Sequence, residues 1–381
     1  MRLTIARLLF AVSIFMLVIG GAHYYFLRRL VFDTALPSPW SELAMAAVAT
    51  LGASMIAHPV VDRVFGPRAA APIGWPSYIW MAACFYLLLG LWASDAVMAL
   101  LGLGGVEVAR ARAVGLTGII GLALLVGFVS ALRPPAVRRI EVRIPNWPEA
   151  LDGFRIVQMS DIHIGSLIRR RFAERIVARC NALDPDLLAI TGDLVDGSLH
   201  HLQEDVAPFG NLRARHGVFF VTGNHDHYSG ASGWVRRVTE LGMRPLRNER
   251  VTIGNGEGAF ELAGVDDISS RRVDGRGYDM RAAMAAWDGA RPVVLLSHDP
   301  RSFEHARKHG VHLQLSGHTH GGQMWPFSWF VRMQTRYVAG RYQVGDSQLY
   351  VSRGTGYWGP PIRLLAPAEI TELTLRPGTP N

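Results

Sequence analysis

"LQLSGHTHGGQ", residues 313–323, starts as a short apolar run and ends in a cluster of glycines and histidines. An apolar run of that length, closed by a turn residue, reads as a buried strand. His318 and His320 stand one residue apart just beyond it. In an extended segment, residues i and i+2 point the same way, so the two imidazoles can grip one metal ion or two adjacent ones. Taken alone, the stretch is equally compatible with a polar loop that holds two histidines.

Four upstream stretches repeat the layout: "FRIVQMSDIHIG" (154–165), "DLLAITGDLVDG" (186–197), "GVFFVTGNHDHY" (217–228) and "PVVLLSHDP" (292–300). Helical stretches at 171–183 and 234–241 lie between them. Strands alternating with helices argue for an α/β domain. In such domains ligands bind outside the carboxyl ends of the strands. The run ends supply Asp161 and His163, then Asp193, then Asn224, His225 and Asp226, then His298, and finally the opening pair. Oxygen and nitrogen donors without thiolate suit Mn²⁺, Fe, Zn²⁺ or Co²⁺. Singly, each has a plain explanation, since Gly-Asp is a common turn and Asn-His-Asp a common loop. His200, His201, His216 and His305 have no such context and read as surface residues. Asp266 and Asp267 read as an acidic turn after a strand, or as lining of the pocket. The order of the whole set outweighs the plain readings of its members.

That order, D-x-H, G-D, G-N-H-D, H and G-H-x-H, resembles the calcineurin-like metallophosphoesterase superfamily. Here it reads Asp161-Ile162-His163, Gly192-Asp193, Gly223-Asn224-His225-Asp226, His298 and Gly317-His318-Thr319-His320. The resemblance covers about residues 138–376. Within it, "LSGHTHGGQ" (315–323) and "RGTGYWGPPIRLLAPAEITELTL" (353–375) are similar to the bacterial YaeI/YkuE-type phosphodiesterase branch. The resemblance implies an αββα sandwich holding two divalent metal ions. It implies that Asp161, His163 and His320 hold one ion, that Asn224, His298 and His318 hold the other, and that Asp193 bridges them. It makes His225 a general acid or transition-state donor, oriented by Asp226. Two metals about 3.5–4 Å apart bind both the nucleophile and a phosphoryl oxygen. A histidine that titrates near neutral pH can protonate a departing alkoxide.

The first third of the chain differs. Apolar residues make up 49% of the 381, and the mean hydropathy is +0.17. Four apolar runs, at 8–27, 41–60, 75–95 and 113–132, approach the roughly 20 residues a bilayer core requires. The apolar core of the second, 43–56, is the shortest, and a buried soluble helix is its alternative. A cleaved signal is the rival for the first, but three more runs follow it. The expectation is a four-helix membrane anchor over 1–135 and an α/β catalytic domain over 136–381. His23 and Asp95 stand in or beside the apolar cores of the runs, 8–22, 43–56, 75–93 and 113–132, with few other polar groups, which suits an anchor over a pore. Basic residues favour a cytoplasmic C-terminal domain at a bacterial inner membrane. That side carries Arg2, Arg7, Arg63, Arg68, Arg133, Arg138, Arg139 and Arg143; the other carries Arg28, Arg29, Arg110 and Arg112. Losing the second span would reverse this.

The net charge is +8, and the first 150 residues hold 12 Arg against 7 acids. That excess fits anionic head groups better than nucleic acid, and no nucleic-acid partner is expected. Two cysteines, Cys84 and Cys180, build neither a disulfide framework nor a Cys metal site. After the last histidines, "GGQMWPFSWFVRMQTRY" (321–337) crowds Trp325, Phe327, Trp329 and Phe330 together. A core-packing strand or hairpin is one reading; an apolar ramp at the bilayer interface is the other. The expected function is a membrane-anchored dinuclear-metal phosphodiesterase, its phosphoester substrate lipid-linked or part of the envelope. The alternatives are a phosphomonoesterase or nucleotide pyrophosphatase, and a non-catalytic metal-binding membrane scaffold.

Overall fold

Apolar sequence without a polar face fills the first third of the chain, and it folds as long helices. The computed structural model describes residues 2–273 and 275–379, without the side chains at 2–9, 11, 12, 15 and 272. The chain divides into two units. One comprises residues 1–126 with 359–361, the other 127–358 with 362–381.

The first unit contains α1 (Arg2–Leu27), α2 (Trp40–Phe65), α3 (Pro67–Leu101) and most of α4 (Val106–Leu132), whose residues from 127 on belong to the second. Among the described residues α2, α3 and α4 are long and apolar enough to cross a membrane. The expected first span, 8–27, falls within α1, but several of its side chains lie outside the described set. A single residue, Gly66 at φ 85°, separates α2 from α3. Pro67 then opens α3 at a position where its missing N–H costs nothing, so α3 starts earlier than its apolar core implies. Asp95 accepts hydrogen bonds from Tyr25 Oη at 2.6 Å and Arg29 Nε at 3.1 Å, and pairs with Arg112 at 2.5 Å. His23 Nε2 lies 2.9 Å from Trp80 Nε1. His23 and Asp95 are thus both engaged inside the unit.

Short runs build the second unit. Its strands are β1 (Ala136–Pro145), β2 (Phe154–Met159), β3 (Leu187–Thr191), β4 (Val218–Val221), β5 (Arg244–Pro245), β6 (Glu249–Asn255), β7 (Gly258–Gly264), β8 (Val293–Leu296), β9 (Leu313–Ser316), β10 (Gly340–Val344), β11 (Ser347–Val351) and β12 (Glu369–Gly378). They form two six-stranded sheets, ordered β1-β12-β2-β3-β4-β5 and β10-β11-β9-β8-β7-β6. Alternation decides the layers. Ile156, Leu187, Ala189, Phe219 and Val221 face Phe260, Leu262, Val294, Leu296, Leu313 and Leu315 of the other sheet. Val157, Met159, Leu188, Ile190 and Phe220 point the opposite way, onto Ile176, Val177, Cys180, Leu202, Trp234 and Val238 of the covering helices. Behind the second sheet, Val293 and Leu295 pack on Met280, Ala283 and Ala306. The result is the expected αββα sandwich. Strands buried on both faces read as continuous apolar runs, which is why they stand out in the sequence.

The aromatic stretch departs from the core-strand reading. Phe327–Gln334 is a helix in which no described residue is buried; Trp329 is 60% and Met333 84% exposed.

Candidate metal centre

Strands β2, β3 and β4 run parallel in one sheet, as do β7, β8 and β9 in the other. Their carboxyl ends carry all nine candidate site residues. Gln158 joins the sheets just beneath, donating to Thr191 Oγ1 at 2.8 Å and to the Ser316 carbonyl at 3.0 Å.

The residues converge, though not by the extended geometry expected of Asp161/His163 and His318/His320. Asp161, His163, Asp193, His318 and His320 have φ of 51°, 55°, 53°, 73° and 51°. Left-handed backbone costs a side-chain-bearing residue about 1–2 kcal/mol. Here the cost is offset by interlocking loops. Asp161 N donates to Gly192 O at 3.0 Å, and His163 N to Asp193 O at 3.1 Å. Strained backbone held in this way is typical of functional sites.

Two lobes share Asp193. In the first, His163 Nε2 lies 3.1 Å from His320 Nε2, and His320 Nε2 lies 3.5 Å from Asp161 Oδ1. In the second, His318 Nδ1 lies 3.0 Å from Asn224 Oδ1 and 3.3 Å from His298 Nε2. Asp193 Oδ2 is 3.8 Å from His163 Nε2 and 3.1 Å from His298 Nε2. Outer contacts aim these lone pairs inward. His298 Nδ1 bonds the Thr191 carbonyl at 2.8 Å, and His163 Nδ1 meets Asp196 Oδ2 at 3.0 Å, leaving each Nε2 free for the centre. Burial, then the charges of His163 and Arg363, hold His320 well below the usual imidazole range, neutral and able to offer a lone pair. Convergent, buried nitrogen and carboxylate atoms of this kind fit divalent cations. Asp161–His163–His320, His163–Asp193–His225 and Asp193–His298–His318 each bring ligand atoms close enough to hold an ion.

The expected role of Asp226 needs correction. Its carboxylate accepts from the backbone N–H groups of Asp193 at 2.9 Å, Gly223 at 2.8 Å and Leu194 at 3.0 Å. It ties the loop after β3 to the loop after β4 and so positions the Asp193 backbone. Burial and the Asp193 charge push its pKa up, to about 7, against those donors. The partner of the His225 ring is Asp196, whose Oδ1 is 2.6 Å from His225 Nδ1. Burial alone would lower the His225 pKa; the Asp196 carboxylate beside it outweighs this and raises it to about 9. Asp196 therefore contacts both His163 and His225. Its sequence signal was present, three residues beyond Asp193 in "GDLVDG". A second residue not singled out in the sequence is Arg363, 1% exposed, whose guanidinium lies 3.2 Å from His320 Nδ1. Both oxygens of Asp266, by contrast, accept from Arg247, at 2.7 and 3.0 Å.

Gly317 and Gly223 are needed for close approach. A Cβ on Gly317 would overlap Ser160 Oγ and Asp161 Oδ2; one on Gly223 would overlap Asp193 Oδ1. Gly317→Ala is expected to push Asp161 aside and weaken metal binding about 10–100-fold. Titration of the metal-stripped variant with Mn²⁺ checks this, and wild-type affinity would refute it.

Histidines and carboxylates at the converging strand ends of a two-sheet sandwich define a candidate metal centre. The calcineurin-like phosphoesterase family model matches residues 154–322. The chain is 32% identical over 260 residues to the uncharacterized metallophosphoesterase YkuE of Bacillus subtilis, covering 66% of this chain and 89% of that protein. It is 39% identical over 265 residues to the transmembrane protein with metallophosphoesterase domain of Bos taurus, covering 66% and 60%. It is 36% identical over 253 residues to an uncharacterized metallophosphoesterase of Helicobacter pylori, covering 66% of each. The match spans only about three fifths of the length of the cattle relative. The chain belongs to the calcineurin-like phosphoesterase family.

Proposed function

We propose that the protein is a membrane-anchored phosphodiesterase that uses two divalent cations. The observation that carries this is the pair of lobes sharing Asp193, with His225 at their edge. Asp161, His163 and His320 would hold one cation; Asn224, His298 and His318 the other; and Asp193 would bridge them. When bound, the cations supply Lewis-acid polarisation of a phosphoryl oxygen and an acidified nucleophilic water. The chain's own residues do the rest. Asp226 and Asp196 orient the loops and rings. His225, its Nδ1 engaged by Asp196, is left to offer Nε2 to the leaving oxygen as proton donor.

A lipid-linked substrate is supported by the exposed aromatic helix Phe327–Gln334, which begins shortly after His320. Tryptophan favours the membrane interface, and three helices suit a membrane anchor. The arginine distribution favours a cytoplasmic catalytic unit at a bacterial inner membrane.

The test is a substrate screen on detergent-solubilised, Mn²⁺-loaded protein, comparing bis-p-nitrophenyl phosphate, p-nitrophenyl phosphate and lipid phosphoesters. The diester is expected to exceed the monoester about tenfold or more, a discrimination of about 1.4 kcal/mol, and chelation to abolish both activities. A preferred monoester would favour the phosphomonoesterase reading. Equal rates on short soluble and lipid diesters, with indifference to Trp325 and Trp329 substitution, would remove the lipid reading.

A further inference from the structure

We infer that Trp358 and Tyr228 form an aromatic subsite beside His225 that binds a ring carried by the ester's leaving group. The direction of the leaving group rests on the proposed role of His225; the subsite itself rests on geometry.

Trp358 packs edge-on to the His225 ring, with centroids 5.3 Å apart at 63°, and Tyr228 does the same at 5.6 Å and 67°. Tyr228 lies three residues beyond His225 on the helix Asn224–Tyr228, a spacing that puts both on one face. Both aromatic rings are open, Trp358 at 52% and Tyr228 at 64% exposure.

An exposed aromatic residue alone means little. The Trp358 backbone, however, is locked. Gln323 Nε2 donates to the Trp358 carbonyl at 2.9 Å, and Trp358 N donates to Gln323 Oε1 at 3.0 Å. Gln323 is itself 8% exposed, held in the left-handed region at φ 47°, and its N donates to the His320 carbonyl at 3.1 Å. The last residue of "LSGHTHGGQ" thus fixes the tryptophan of "RGTGYWGPP" relative to a candidate ligand. A ring that needs no ordering before it binds loses little entropy on doing so. The surface it offers is a π face, which takes aryl groups, nucleobases or the C–H face of a sugar.

The experiment uses the full chain in detergent, loaded with Mn²⁺. Two methyl phosphodiesters are compared, with phenol and with a fluorinated alkanol of matched acidity as leaving groups. Wild-type protein is expected to favour the phenyl ester through KM. Trp358→Ala is expected to lower the phenyl-to-fluoroalkyl ratio of kcat/KM about tenfold, as loss of one stacking partner does, and Trp358→Phe to restore most of it. A ratio unchanged in Trp358→Ala overturns the inference. A nucleoside and a hexose diester, run in parallel, identify the ring by which of them responds to Trp358→Ala.

Calorimetric binding of phenylphosphonate and methylphosphonate gives a readout free of turnover. A Trp358-dependent preference for phenylphosphonate, with no ester hydrolysed, would sustain the subsite while removing the phosphodiesterase reading. Equal affinities in wild-type protein overturn the subsite.

Discussion

Asp193→Ala is expected to bind neither cation and to lose turnover by about 10³-fold or more, the several kcal/mol that metal charge stabilisation supplies. Asp193 Oδ2 faces His298 Nε2 at 3.1 Å and His163 Nε2 at 3.8 Å, so one oxygen serves both lobes. Removing it would leave the two proposed cations with their mutual repulsion uncompensated, so neither would be held. Asp193 Oδ1 also accepts from His225 N at 2.8 Å, so alanine loosens the loop after β4 as well. Asp193→Asn separates the two effects, because the amide oxygen can still accept that bond while the charge is gone. Metal content by plasma emission, with a thermal melt for folding, checks both variants. Two metals per chain in a folded Asp193→Ala protein would refute the bridging role.

His225→Ala is expected to keep its metals and lose about 10²–10⁴-fold in turnover, the range of general acid catalysis. The loss should be smallest for p-nitrophenyl esters, whose leaving group needs little help from a proton, and largest for alkyl esters. The assignment has a rival within the geometry, because His163, Asp193 and His225 also bring ligand atoms together. Metal analysis decides between them. Asp196 already engages His225 Nδ1 at 2.6 Å, which favours a ring oriented toward substrate. An empty site in His225→Ala would make it a ligand instead.

Much of this centre was legible before the fold was known. Strands buried on both faces appear as unbroken apolar runs, and His, Asp and Asn clustered just beyond such runs are recognisable as candidate ligands. The aromatic helix at 327–334 was ambiguous because a short apolar run has no period that separates helix from strand. Asp226 was misplaced for a different reason. It is adjacent to His225 in the chain, yet its carboxylate turns to the backbone of Asp193 and Leu194. The i, i+2 argument assumed an extended conformation that Asp161 and His163 do not adopt, since their φ values are 51° and 55°.

Local chemistry and periodicity determined the α/β class, the apolar N-terminal helices and the identities of the candidate ligands, since these depend on neighbours along the chain. Tertiary structure decided which carboxylate meets which imidazole. Asp196 reaches His163 and His225, Arg363 reaches His320, and Gln323 pins Trp358. Each of these contacts joins segments far apart in sequence. They exist only because two sheets bring their strand ends to one place, and no local pattern encodes that convergence.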